Sequence, residues 1–274
     1  MLWQPLLSEG RSLGSLVGAG LALPKRLSKS KAGQGKPCPY MINDRASGRA
    51  LPPPMPTSTV ENYVKQLYLE QQRAPEQLVS MGKLASVMGV VPGTATTMMK
   101  ALADSGLVAY EPRGGVRLTR GGEQLALHVL RRHRLVELFL VEVLGLDWSE
   151  VHAEADDLEH AISDKVLERI DTLLNHPSVD PHGDPIPSAQ GKVATGRHTS
   201  LADSPTGRRL RVARVIDQDP GFLQFVERCG LLPGTAVTVE ARNPLADSVA
   251  VHPHDRRPVT LGTAAAGKIL VEEV

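Results

Sequence analysis

The sequence predicts a mainly α chain that carries a winged helix-turn-helix near its start and a β-rich segment at its end. Three observations lead there. Apolar residues recur at helical spacing through most of residues 57–174, a helix–turn–helix–hairpin order occupies residues 57–119, and β-type segments dominate from Arg208 onward. At 274 residues with 41% apolar content, the chain is long enough to bury proper cores in two or three domains. Cys38 and Cys229 lie far apart without metal-type pairing, which fits a reducing cytoplasm.

The first 55 residues stand apart. They hold eight Lys/Arg and two Asp/Glu, a balance of +6 against −5 for the remainder, in stretches such as KRLSKSKAGQGKPCP and LPPPMP that cannot pack a core. The run LGSLVGAGLAL is too short to span a bilayer and has no basic segment before it, so neither a membrane anchor nor a secretory signal is expected. We read residues 1–55 as a disordered tail, or as sequence upstream of a natural start at Met55.

Residues 56–120 form the expected DNA-reading domain. Ser58 or Thr59 caps a first helix bearing Val60, Tyr63, Val64, Leu67 and Tyr68, and a second spans Met81–Met88. Pro92 opens a third, Gly106 stops it, and Leu107–Tyr110 and Val116–Thr119 flank a turn at Pro112–Gly115. In such a domain the second helix of the pair enters the major groove by its N-terminal end, here Gly93, Thr94, Thr96 and Thr97. Their hydroxyls suit phosphates or bases and their methyls suit thymine; Lys83, Lys100, Arg113 and Arg117 are candidate phosphate contacts. The bland alternative is a helical hairpin used only as a protein interface.

Residues 121–187 form a helical segment rich in acid and histidine: residues 124–185 hold thirteen Asp/Glu, five Lys/Arg and six of the nine histidines. His133 and Glu137 stand at i and i+4; beyond the break Gly145-Leu146-Asp147-Trp148, His152, Asp156, Glu159 and His160 fall at i, i+4, i+7 and i+8 on one helix face. Imidazole and carboxylate donors at that spacing, without thiolate, suit Mn(II) or Fe(II) rather than a structural zinc. A solvated helix face is the plain alternative, although like charges at i and i+3 repel without a cation nearby. Two apolar stripes (Leu125, Val129, Leu135, Leu138, Phe139, Val143, and Ile162, Val166, Leu167, Ile170, Leu173, Leu174) exceed what one small domain buries and predict a homodimer, with the internal core of a monomer as the plain alternative. HPSVDPHGDPIPSAQG, with four prolines, excludes helix or central strand, and residues 188–207 read as a linker. In residues 208–274, His252 and His254 are expected in an exposed loop without metal.

The words RRHRLVELFL, GLDWSEVHAEADDLEHAISD and PHGDPIP, joined to the reading domain, resemble the diphtheria toxin repressor and manganese transport repressor family of metal-activated bacterial regulators. The resemblance implies a dimeric cytoplasmic repressor that binds double-stranded operator DNA, is not an enzyme, and ends in a small SH3-like β-barrel of the kind found in iron-transport accessory proteins. It implies an activating metal site at Asn62, Asp156, Glu159 and His160, and an ancillary site at His133, Glu137 and His152 with help from Asp217. Two departures follow. Asn62 stands where the family has Met or Asp, and Lys65 where the manganese branch has Glu, which argues for a single activating ion rather than a two-metal cluster. Rival readings are a sensor of an organic ligand and a metal-dependent hydrolase; no nucleophile pair or glycine-rich substrate loop supports the latter.

Overall fold

The computed structural model describes residues 57–274, so the expectations for residues 1–55 lie outside the described residues. The first helix, α1 (Thr57–Arg73), precedes α2 (Met81–Val87) and α3 (Pro92–Asp104), and the hairpin β1 (Val108–Glu111) and β2 (Gly115–Leu118) closes the winged head. Ser80 caps α2 by accepting from the Lys83 amide, and Pro92 sits in the first turn of α3, where its missing N–H costs nothing. The hairpin is antiparallel, with Glu111 opposite Gly115; Gly115 packs so closely on Leu78 and Val79 that a Cβ would lie 2.8 Å from both.

The long helix α4 (Arg120–Glu142) is the spine. Thr119 caps it, and its first half places Ala126, Leu127 and Leu130 in the head's core with Tyr63, Leu67, Leu84 and Met99. Its second half turns Leu135 toward Leu167, Ile170 and Ile186, and Val136 and Leu140 toward Val151 and Ala155. Those partners come from α5 (Val151–Leu158), α6 (Asp164–Leu173) and the proline-rich loop after them. Of the two apolar stripes, Val129, Leu135, Leu167 and Ile170 are buried within the chain, whereas Val143, Val166 and Leu173 remain exposed, together with Leu144 and Leu158.

The C-terminal unit is a six-stranded antiparallel sheet in the order β3-β8-β4-β5-β6-β7. Its strands are β3 (Thr199–Ser200), β4 (Arg209–Val215), β5 (Ala236–Asn243), β6 (Ser248–Pro253), β7 (Val259–Gly262) and β8 (Ile269–Glu273), with α7 (Pro220–Arg228) and α8 (Thr263–Ala266) in the connections. Register shifts between Val212 and Arg214 and between Val239 and Ala241 bend the strands around a core of Leu210, Val212, Leu223, Val237, Val251 and Ile269. This is the SH3-like architecture the resemblance implied. Strand β3 falls inside the stretch read as a linker: it pairs with β8 and buries Leu201. His252 lies in β6 opposite Thr238 rather than in a loop, because the Val249/Val251 alternation continues the strand as far as Pro253.

The proline-rich loop is irregular, as its prolines require, yet it buries Asp180, His182, Asp184 and Ile186. Its turn closes through Asp180–Asp184 backbone pairing, and the Asp180 carboxylate accepts from the amides of His182 and Asp184. Arg134 of α4 and Arg214 of β4 both pair with Asp184, and the Val215 amide donates to the His182 carbonyl. Gly183 (φ +85°) lets β4 approach, since a Cβ there would sit 2.0 Å from the Ala213 carbonyl oxygen. Gly183→Ala should therefore lower unfolding stability by about 3 kcal/mol, read as a shifted urea midpoint; an unchanged midpoint would contradict this packing.

Candidate metal centre

Helical spacing brings the donors together. α4 supplies His133 and Glu137 one turn apart, and α5 supplies His152 and Asp156 one turn apart across from them. The helix expected to run through His160 ends at Leu158, but Glu159 keeps helical dihedrals as its C-cap, so its side chain still faces α4. α1 contributes Glu61, Asn62 and Lys65 from the head.

His133 Nε2, Glu137 Oε1 and His152 Nδ1 form a near-equilateral triangle, with separations of 2.9, 3.0 and 3.0 Å. Two ring nitrogens that close need a proton or a cation between them. Bonds of about 2.1 Å meeting at right angles put donor atoms about 3 Å apart, so the triangle fits one face of a transition-metal coordination sphere. The other ring nitrogen of His133 lies 2.8 Å from Glu159 Oε2 and 3.2 Å from Asp156 Oδ1. A carboxylate there holds Nδ1–H toward Glu159, so that once Nε2 gives up its proton its lone pair faces the triangle.

A second donor group lies behind Glu137. Glu137, Asp180 and His182 are all buried and each offers a ligand atom within 4.8 Å of the others. Glu137 Oε2, Asp180 Oδ2 and His182 Nδ1 have no hydrogen-bond partner among the described residues. His182 Nε2 lies 2.9 Å from the Trp148 carbonyl, which as an acceptor requires Nε2–H and leaves the Nδ1 lone pair facing the two carboxylates. Arg134 Nε lies 3.6 Å from Asp180 Oδ2, but none of the three atoms is hydrogen-bonded; that is costly in a buried place, and a cation would satisfy all three at once. PHGDPIP carries the family resemblance, but Asp180, His182 and Asp184 within it were not among the expected ligands. The signal was there in acid, imidazole and acid at positions 180, 182 and 184.

The residues assigned to the activating site do converge, with one addition. Lys65 Nζ, almost fully buried, donates to Asp156 Oδ1 and Glu159 Oε1, each at 2.7 Å. His160 Nε2 lies 2.8 Å from Asn62 Oδ1 and 3.3 Å from Glu159 Oε1, and its Nδ1 lies 2.6 Å from Glu61 Oε2. Glu61 was missed because a helix-face glutamate carries no distinguishing pattern. An open cavity of ≈ 550 Å³ borders this junction, with Asn62, Lys65, Met88, Asp156 and His160 in its wall. Asp217 does not join either group: Lys268 takes its carboxylate at 2.6 Å, and the neighbouring Gln218 reaches Asp184 instead.

The electrostatics follow from burial and pairing. Burial pulls the His133 pKa down, but Glu137 and the hydrogen bonds to Asp156, Glu137 and Glu159 outweigh it and hold the imidazole well above its usual value. Burial pushes Glu137 and Asp156 up, yet His133 and His152 for the first, and His133 and Lys65 for the second, hold both carboxyls below the usual range. Asp180 goes the other way: burial, then the charges of Asp184 and Glu137, raise it well above a normal carboxyl despite Arg134.

On the reading head, Gly93, Thr94 and Thr97 are exposed at the start of α3, with Thr96 half-buried beside them. The hydroxyls of Thr96 and Thr97 donate to the Pro92 and Gly93 carbonyls, at 2.8 and 3.0 Å, so those two residues offer a base their methyls and their hydroxyl oxygens as acceptors. Lys100 and Arg113 are exposed, Arg117 is half-buried, and Lys83 stands 3.6 Å from Glu70. His252 Nδ1 lies 3.3 Å from Glu240 Oε1, and His254 Nε2 lies 3.0 Å from Thr238 Oγ1.

Three family models match the chain in succession. These are the iron dependent repressor N-terminal DNA binding domain over residues 55–116, the iron dependent repressor metal binding and dimerisation domain over 119–188, and the FeoA domain over 199–273. The diphtheria toxin repressor of Corynebacterium glutamicum is 32% identical over 193 residues, covering 66% of this chain and 83% of the relative. The chain belongs to the diphtheria toxin repressor, IdeR and MntR family of metal-dependent transcriptional repressors. The iron-dependent repressor IdeR of Mycobacterium leprae is 28% identical over 228 residues, 79% of this chain and 97% of the relative. A solved manganese-dependent transcriptional repressor in complex with manganese is 40% identical with a TM-score of 0.70, covering 78% of this chain and all of that one. ScaR with bound Cd2+ is 32% identical with a TM-score of 0.65, over 78% of this chain and 99% of that one. The family is one of regulators, not enzymes, with a DNA-binding domain, a dimerisation domain and a divalent-metal site. Among the described residues no helix is long and apolar enough to cross a membrane.

Loading the donor sets requires His133 and Asp180, both raised, to give up protons. Divalent-metal affinity should therefore climb as pH rises toward the raised values of these two groups, by up to about tenfold per pH unit for each proton released. In the metal-free protein the sign is opposite: a raised pKa contributes stability at low pH that is lost as pH rises through the folded-state value. Calorimetry in buffers of different ionisation enthalpy reads the released protons; uptake without release would contradict these assignments.

Proposed function

We propose that the chain is a Mn(II)- or Fe(II)-activated transcriptional repressor that binds operator DNA as a homodimer in the cytoplasm and controls metal-homeostasis genes. The observation that carries this reading is the triangle of His133 Nε2, Glu137 Oε1 and His152 Nδ1, all within 3.0 Å of one another. In this reading those three hold the ion, Asp180 and His182 add donors across Glu137, and Asp156, Glu159, His160 and Asn62 join the centre to the head. Oxygen and imidazole donors without a thiol favour Mn(II) or Fe(II) over softer ions. When bound, a divalent cation supplies positive charge to a buried acidic cluster.

The remaining steps belong to the chain itself. Glu159 accepts from His133 with one oxygen and holds Lys65 of α1 with the other, so the orientation of His133 is transmitted to the head. The exposed side chains of Val143, Val166 and Leu173 support pairing of two copies. In such a pair the two α3 helices meet half-sites about 34 Å or a multiple apart, so head spacing governs affinity. Gly93, Thr94, Thr96 and Thr97 would face the bases, and Lys83, Lys100, Arg113 and Arg117 the phosphates. A coupling of about 1–3 kcal/mol between metal and DNA is ordinary for such a switch.

His152 is half-exposed, so His152→Ala removes one corner of the triangle without opening the core. We expect at least tenfold weaker Mn(II) uptake in equilibrium dialysis, an unchanged circular dichroism spectrum, and loss of the Mn(II)-dependent shift of promoter DNA in gels. A variant that takes up Mn(II) and shifts DNA like the parent would sink the reading.

A further inference from the structure

The junction between head and dimerisation helices is already bridged by a cation, and that cation is a side chain. Lys65 leaves α1, is 3% exposed, and places its ammonium 2.7 Å from both Asp156 Oδ1 and Glu159 Oε1. Glu159 has no exposed surface at all. The Asp156 side chain is about half exposed, but its carboxylate faces the buried Glu159, and the two repel unless a positive charge sits between them; the ammonium is placed to supply it. A divalent ion sharing the same two oxygens would stand beside the buried Lys65 ammonium, a like charge at close range. The triangle of His133, Glu137 and His152, by contrast, does not involve Lys65: its ammonium holds oxygens of Asp156 and Glu159 that lie outside that triangle.

We propose that Lys65 is the resident cation of this junction, holding the reading head on α5 whether or not metal is bound, so that the chain has operator affinity before any ion arrives. Metal at the triangle then acts on a head that is already tethered, through the His133–Glu159 hydrogen bond. Lys65 is a positioning residue: it acts on DNA binding through the placement of α1. The inference rests on the functional reading above only for that last link; the tether itself is a statement about the metal-free chain.

The test uses the full chain in excess chelator, with Lys65→Gln, Lys65→Glu and Lys65→Arg. Gln keeps a hydrogen-bond donor and loses the charge, Arg keeps the charge, and Glu adds a third carboxylate. Without metal, Lys65→Gln should bind promoter DNA at least tenfold more weakly than the parent and show faster amide exchange confined to α1, while Lys65→Arg stays within threefold. Lys65→Glu should behave like Lys65→Gln in chelator and recover on adding Mn(II), taking up one more ion per chain than the parent. Should Lys65→Glu fail to fold without metal, the chelated Gln and Arg arms still decide. Lys65→Gln with the parent's metal-free DNA affinity and α1 exchange overturns the tether. A parent chain that takes up no Mn(II) overturns the functional reading instead, and leaves the tether to be judged on the chelated arms.

Discussion

Burying a carboxylate without exposed surface demands a compensating positive charge, and the organisation of this protein follows from how Glu159 meets that demand. One oxygen faces His133 of α4 and the other faces Lys65 of α1, at 2.8 and 2.7 Å. Glu159 itself closes α5. Three helices therefore meet at one side chain, and none can shift without uncovering a charge. Removing one partner of a buried pair is far more damaging than losing a surface one, because the remaining charge stays desolvated. The same constraint makes the junction a suitable place to sense a cation.

The helix α4 converts that local constraint into a global one. Its first half is part of the head's core and its second half carries His133 and Glu137 of the candidate metal centre. Packing at both ends couples the helix to the head and to the dimerisation helices, so a displacement near Glu137 would bear on the head. The proline-rich loop extends the connection to the C-terminal barrel: Asp184 is gripped by Arg134 from α4 and Arg214 from β4, and Trp148 packs into the barrel's core while its carbonyl meets His182. The barrel is thus anchored beside the buried donor set of Glu137, Asp180 and His182.

Much of this was legible in the sequence because helical periodicity is a short-range code. Spacing of i and i+4 placed His133 with Glu137 and His152 with Asp156, and the helix–turn–helix–hairpin order fixed the head. The family resemblance brought Asn62 to His160 across the chain, a contact no local pattern encodes. What stayed hidden was set by tertiary geometry. Four prolines marked residues 176–187 as irregular, which is true, but irregular backbone reads as solvated until the ion pairs that bury it are seen. Asp217 resembled a ligand until Lys268, fifty-one residues away, proved to hold it. The lysine at position 65 read as a departure from the family pattern; only its two equal distances show it to be a bridge.

The central claim is that metal and DNA act on one mechanical unit, and linkage makes that claim measurable from the side opposite to activation. The affinity of the full chain for Mn(II) should be determined by dialysis with and without a duplex that the protein itself selects from a random pool. Thermodynamic reciprocity predicts metal binding about 5–150-fold tighter when the duplex is present. Identical metal affinity with and without the duplex would contradict the account.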